Sequence, residues 1–207
     1  MIRTILFDMG NVLIYFSHQR MCEQLGRLID RTETEVNSWL LDSGLQWDYE
    51  RGKINPRSFH GLFQDWGQRT IEEAVLHRAG SDIFTPNDEI LPVLKSLKSA
   101  GYRLVLMSNT NEVHFNWVRS EYPVLEGFDD FVLSYEVGAM KPEPAIFEAA
   151  MSKIACAPHE CFYTDDIPEY IAAARKLGFD AEVFTGVTDL KQHLARRNVP
   201  ATIAENH

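Results

Sequence analysis

The sequence predicts an α/β fold: a Rossmann-like parallel sheet with helices on both faces, plus an inserted α-helical cap. Three observations carry this. Short apolar runs recur, and each stops at a polar or glycine residue. Segments with helical periodicity separate them. One stretch, residues 15–85, breaks the alternation, shows no strand pattern and reads as a helical insertion.

Thr4-Ile5-Leu6-Phe7 is the first run and stops at Asp8. Arg103 to Met107 stops at Ser108, and Phe131-Val132-Leu133 stops at Ser134. Cys161-Phe162-Tyr163 stops at Thr164-Asp165-Asp166, and Ala181 to Phe184 stops at Thr185-Gly186. Runs of this length and composition are buried parallel strands. Between them, Ile90, Leu91, Leu94 and Leu97 follow helical spacing after Asn87, with Gly101 as the stop. Pro144–Met151 and Pro168–Leu177 read as two further helices, the second ended by Gly178.

In residues 15–85, Met21, Leu25, Leu28 and Ile29 form a helical stripe. Thr32-x-x-Glu35 and Thr70-x-x-Glu73 both read as capping boxes. Asn55-Pro56 ahead of Phe59, Leu62, Phe63 and Trp66 reads as a capped amphipathic helix. Trp47 and Tyr49 fall in an irregular stretch before Gly52 and are candidates for a substrate pocket. The expected organisation is a core of residues 1–14 and 86–207, and a cap of residues 15–85 inserted after the first strand.

Composition narrows the function. The 207 residues carry 20 basic and 30 acidic side chains, a net charge of −10, and no basic run. A nucleic-acid groove or an anionic membrane surface would need one, so neither is an expected partner. Cys22, Cys156 and Cys161 form no CxxC pair, so neither a disulfide framework nor a zinc site is expected. Asp8 interrupts the apolar N-terminus, and no later run is long enough for a bilayer, so the expected compartment is the cytoplasm. The expected state is monomer or homodimer.

Open parallel sheets do their chemistry beyond the carboxyl ends of the strands. There this chain places Asp8 with Gly10 two residues on, then Ser108-Asn109, Lys141 and Asp165-Asp166. Carboxylates held together repel unless a cation lies between them. Oxygen donors without His or Cys suit magnesium. A carboxylate beside such an ion can attack phosphorus, Lys141 can balance charge, and Ser108 can hold phosphoryl oxygens. Asp165-Asp166 ahead of Pro168 also fits a helix N-cap, a role compatible with metal binding.

Asp8-Met9-Gly10-Asn11-Val12-Leu13, Ser108-Asn109, Lys141-Pro142 and Asp165-Asp166 together resemble the four motifs of the haloacid dehalogenase superfamily, across nearly the whole chain. The cap spacing is similar to members with a helical C1-type cap. The resemblance implies a magnesium-dependent phosphatase acting on a small phosphorylated metabolite through an aspartyl-phosphate. It implies Asp8 as nucleophile and magnesium ligand, the Gly10 carbonyl and Asp166 as further ligands, and Asp165 as a ligand or outer partner. It also implies Ser108, Asn109 and Lys141 on the phosphoryl group.

Two positions depart from the family pattern. Gly10 stands where most of these phosphatases carry the Asp that protonates the leaving oxygen. The first motif is similar to that of α-D-glucose-1-phosphate phosphatases, which also have Gly there. Three readings are open: a weak relative, a stand-in acid such as His18, Asp48 or Glu50, or an anomeric sugar phosphate whose oxygen leaves readily. Tyr170 stands where Asp or Asn usually steadies the site. A 2-haloacid dehalogenase and a non-catalytic binding relative are the competing functions.

Overall fold

The computed structural model describes residues 1–201. The chain opens with β1 (Thr4–Phe7) and β2 (Ile14–Phe16). Helices α1 (His18–Ile29), α2 (Glu33–Asn37), α3 (Leu45–Glu50), α4 (Pro56–Gly67) and α5 (Glu73–Ser81) follow, with a π-helical segment at Ser38–Asp42. β3 (Phe84–Pro86) then leads to α6 (Leu91–Ser99), β4 (Arg103–Ser108), α7 (Glu112–Glu121) and β5 (Asp130–Leu133). The remainder is α8 (Ser134–Val137), α9 (Pro144–Lys153), β6 (Cys161–Asp165), α10 (Pro168–Lys176), β7 (Asp180–Val183) and α11 (Val187–Ala195).

Among the described residues, five parallel strands form the main sheet in the order β5-β4-β1-β6-β7. The expected α/β core is present. Alternate residues of each strand face opposite sides. Leu6, Val105 and Met107 pack with Ile146 and Phe147 of α9 and Ile171 of α10. Ile5, Phe7, Leu104 and Leu106 pack with α6, α7 and α11 through Leu97, Val118 and Leu194. Burial on both faces is why these strands read as unbroken apolar runs. Thr4 to Phe7 pair with β4 on one side and β6 on the other, so the chain crosses over in both directions from β1. That reversal opens a crevice at the carboxyl end of β1.

Residues 15–85 are mostly helical, with one correction. Tyr15 and Phe16 at one end pair antiparallel with Thr85 and Phe84 at the other. Three-residue strands are too short to show an alternating pattern. Asn87, read as the start of a helix, does not cap one. Its side-chain amide donates to the Val12 carbonyl at 2.8 Å, closing the base of the insertion.

The Thr32–Glu35 capping box forms in both directions, at 3.2 and 2.8 Å, and Asn55 caps α4 through the Ser58 N–H at 2.9 Å. The Thr70–Glu73 box does not form, and α5 begins at Glu73 without a side-chain cap. There the chain is held by α4 instead. The Ile71 N–H donates to Gln64 Oε1 at 3.0 Å, and His60 bonds the Ile71 carbonyl at 2.7 Å.

His114 of α7 ties the insertion to the core. Its Nε2 lies 3.0 Å from the Gly80 carbonyl, which only accepts, so Nε2 carries the proton. Its Nδ1 accepts from the Asn111 amide at 3.1 Å, and Asn111 Oδ1 takes the His114 backbone N–H at 2.9 Å. The neutral ring is thus satisfied on both sides, and burial lowers its pKa to about 4. Between this value and the ordinary 6.5, the unfolded chain binds the extra proton and the folded one does not. The contribution of His114 is therefore complete above pH 6.5 and lost as pH falls toward 4. The loss amounts to about 3 kcal/mol. The stability difference between wild type and His114→Gln, from urea unfolding at pH 7, 5.5 and 4, is expected to shift against the wild type by about this amount on acidification.

Candidate active site

The crevice at the strand ends is a cavity of about 560 Å³, walled by the core on one side and the insertion on the other. Asp8 follows β1, Ser108 ends β4, Asp165 ends β6, and Lys141 comes from the loop between α8 and α9. Asp8, Gly10, Ser108, Asn109, Lys141 and Asp166 all line this cavity. The sequence positions identified from strand ends converge.

Lys141 is at the centre. Its Nζ lies 2.6 Å from Asp8 Oδ1, 2.6 Å from Asp165 Oδ2 and 3.2 Å from the Met107 carbonyl. An ammonium has three N–H groups, and each has an acceptor. Asn109 fixes the lysine from behind: its Oδ1 accepts the Lys141 N–H at 2.8 Å and its amide donates to the Lys141 carbonyl at 3.1 Å. The Asn109 side chain is thereby committed to Lys141 and, through its amide at 3.4 Å, to the Tyr170 hydroxyl. Tyr170 lays its ring 5.2 Å from the ammonium, a cation–π contact in place of the usual carboxylate or amide. The departure at Tyr170 therefore still steadies the lysine.

Asp165 is fully buried and committed to structure. Besides Lys141 it accepts from the Tyr163 hydroxyl and from the Ile167 N–H at 2.9 Å. Asp166 is half-buried and takes a hydrogen bond from the Asn11 amide at 3.0 Å. Asn11 was not singled out from the sequence. It holds φ +56, a conformation that Asn tolerates better than most residues, and its place just after Gly10 in a tight turn was the available signal.

Oxygens of Asp8, Asp165 and Asp166 lie within 4.8 Å of one another. Three carboxylates and one ammonium leave two negative charges when all are ionised. Burial pushes Asp8 up to about 7 against the pull of Lys141, and burial also raises Asp166. Burial works against the Lys141 ammonium, but Asp165 and Asp8 outweigh it and hold the amine well above its ordinary range. The cluster thus favours a further cation. An oxygen-only donor set with two excess charges fits a hard divalent ion such as magnesium.

Gly10 has a steric reason. A Cβ built there would lie 2.9 Å from Cε1 of Phe16, so an aromatic ring occupies the space a side chain would need. From the insertion, Trp47, His18 and Glu50 reach the cavity, whereas Tyr49 and Asp48 do not. Tyr49 is buried and stacks on Phe59 with centroids 4.7 Å apart, within the helical layer. Asp48 pairs with Lys53 at 2.8 Å in solvent. Arg51 and Glu143, also unflagged by the sequence, form an ion pair at 2.6 Å that joins the end of α3 to the loop before α9.

Comparison with known proteins agrees with this geometry. Residues 2–178 match the family model for haloacid dehalogenase-like hydrolases. A D-ribitol-5-phosphate phosphatase of Bacteroides thetaiotaomicron is 26% identical over 202 residues, covering 94% of this chain and 97% of that protein. A glyceraldehyde 3-phosphate phosphatase of Methanopyrus kandleri is 26% identical over 193 residues, covering 86% of this chain and 82% of the other. A crystal structure of a Bacteroides thetaiotaomicron enzyme of the family superposes with a TM-score of 0.81 at 27% identity, covering 92% and 97% of the two chains. The same enzyme in complex with magnesium and inorganic phosphate superposes at 0.79 with 26% identity, covering 88% and 94%. With the motifs converged at one cavity and the family model spanning residues 2–178, this chain belongs to the haloacid dehalogenase-like hydrolase family.

Proposed function

We propose that this hydrolase is a magnesium-dependent phosphatase that cleaves a small phosphomonoester, a sugar or polyol phosphate, through an aspartyl-phosphate on Asp8. The observation that carries the reading is Asp8 itself. It lies at the cavity wall with one oxygen fixed by Lys141 at 2.6 Å, and no other side chain among the described residues bonds it. A nucleophile held by one oxygen is oriented without being consumed.

The chain's own groups divide the work. Asp8 attacks phosphorus and forms the acyl phosphate. Lys141 holds Asp8 and faces the phosphoryl charge that develops. Ser108 and the N–H groups of its loop supply donors to the phosphoryl oxygens. Magnesium, held by Asp8 and Asp166 with the Gly10 carbonyl and Asp165 as further candidate donors, would offset the phosphoryl charge and the repulsion among the carboxylates. A carboxylate cluster that favours a divalent cation fits a phosphoryl group, whose oxygens such an ion can bind, better than attack on the carbon of a 2-haloacid.

The substrate class draws on the phosphatases named among the relatives, whose substrates are a pentitol phosphate and a triose phosphate. The exposed ring of Trp47 at the cavity wall gives a sugar or polyol a face to pack on. Aldose 1-phosphates are the first candidates, since their hemiacetal oxygen leaves more readily than a simple alkoxide.

A phosphometabolite panel assayed with magnesium is expected to show phosphate release that Asp8→Asn lowers at least about a thousandfold and that chelation abolishes. Beryllium fluoride is expected to bind the wild type and not Asp8→Asn. Equal rates on aldose 1-phosphates and alkyl phosphates would remove the anomeric preference. The packing of Gly10 against Phe16 gives a separate expectation. Gly10→Asp is expected to cost stability in the wild-type background and less beside Phe16→Ala, with a coupling of about 1 kcal/mol by urea unfolding.

A further inference from the structure

Glu50 is the last residue of α3 and only 7% exposed, yet it has no cationic side chain bonded to it among the described residues. Acidic side chains are seldom this buried without one. Gln46 donates to its Oε1 at 2.8 Å, and Oε2 has no partner among the described residues. The residue lines the same cavity as Asp8, Gly10 and Lys141. Burial pushes its carboxyl up to about 7, with the Gln46 hydrogen bond and then Lys141 across the cavity drawing it down only in part. A group with this protonation balance can both give and take a proton near neutral pH.

Its position is set by the core. The Ser134 hydroxyl, just past β5, donates to the Glu50 carbonyl at 2.6 Å and accepts the Thr110 N–H at 2.9 Å. Two residues on, Gly52 has φ +73, and a Cβ there would lie 2.2 Å from the Tyr135 carbonyl oxygen. Glycine lets the chain press directly on the core backbone at that point. Arg51 adds its ion pair with Glu143. The end of α3 is therefore anchored on three sides.

The other acids considered fit less well. Asp48 is turned to Lys53 outside the cavity. His18 reaches the cavity, but its ring lies against Phe16 and burial lowers its pKa, so its acid form is scarce at neutral pH.

We propose that Glu50 performs the proton transfers for which Gly10 has no side chain. The inference rests on the phosphatase reading above. As Asp8 forms its bond to phosphorus and the ester P–O bond breaks, the Glu50 carboxyl gives its proton to the departing oxygen. The Glu50 carboxylate then takes a proton from the water that attacks phosphorus. The Asp8–phosphorus bond breaks, inorganic phosphate leaves, and the carboxyl is restored.

The test compares kcat/KM for wild type, Glu50→Gln and Glu50→Ala across 4-nitrophenyl phosphate, phenyl phosphate and glycerol phosphate, whose leaving oxygens are progressively more basic. Nitrophenolate departs without a proton, so Glu50→Gln is expected to stay near wild type on that ester. On the most basic leaving group it is expected to lose about a hundredfold. Added formate is expected to restore part of the activity of Glu50→Ala, which a packing role would not allow. An equal loss on every ester, no loss on the most basic one, or no rescue by formate overturns the assignment. A wild type inactive on all three esters, with no beryllium fluoride bound at Asp8, overturns the phosphatase reading and this inference with it.

Discussion

The position of one ammonium group organises the site. Lys141 Nζ bonds Asp8 after β1, the Met107 carbonyl on β4 and Asp165 at the end of β6, so three adjacent strands meet at one cation. A buried charge is costly unless its hydrogen bonds are complete, and removing one partner leaves an uncompensated ion. Here every N–H has an acceptor, and Asn109 holds the lysine backbone from both its donor and its acceptor. The strand register and the chemistry are therefore linked. A one-residue slip of β4 or β6 against β1 would turn Met107 or Asp165 away and strand the charge. Asp165 belongs to this framework more than to an ion, since its oxygens already serve Lys141, Tyr163 and Ile167. Asp166, with its single bond from Asn11, is the carboxylate with capacity to spare.

Most of the core was legible because a parallel sheet gives few options. Runs buried on both faces are apolar throughout, so the first polar residue marks a strand end, and strand ends are where such sheets place their chemistry. That logic alone brings Asp8, Ser108 and Asp166 together. The role of Asn11 was harder to read, because the residue it holds, Asp166, lies far along the chain and only the fold brings the two together. Tyr170 stood out as a departure, but its role was hidden because its ring meets Lys141 face-on, a contact no motif spacing encodes.

The insertion was harder to read, and α3 shows why. Residues 45–50 have no long periodic stripe, so the stretch before Gly52 looks irregular. As a helix its geometry is decisive. Positions two apart point to nearly opposite sides, and positions three apart share a face. Tyr49 accordingly turns into the helical layer against Phe59, while Trp47 and Glu50 share the cavity side. The pairing of Trp47 with Tyr49 followed from reading the segment as irregular. Recognising one turn of helix would have exchanged Tyr49 for Glu50.

This exchange bears on how the two parts of the molecule cooperate. An acid two residues after Asp8 would ride on the same core turn as Asp8, wherever the insertion stood. Phe16 occupies that space instead, and Phe16 belongs to the strand pair at the base of the insertion. With the proton on Glu50, chemistry requires α3 to be seated on the core. The contacts that seat it are unusually direct: backbone to hydroxyl at Ser134, backbone to backbone at Gly52, and the Arg51–Glu143 ion pair. On this assignment the insertion serves as a wall of the active site, with Trp47 and Phe16 forming part of its lining.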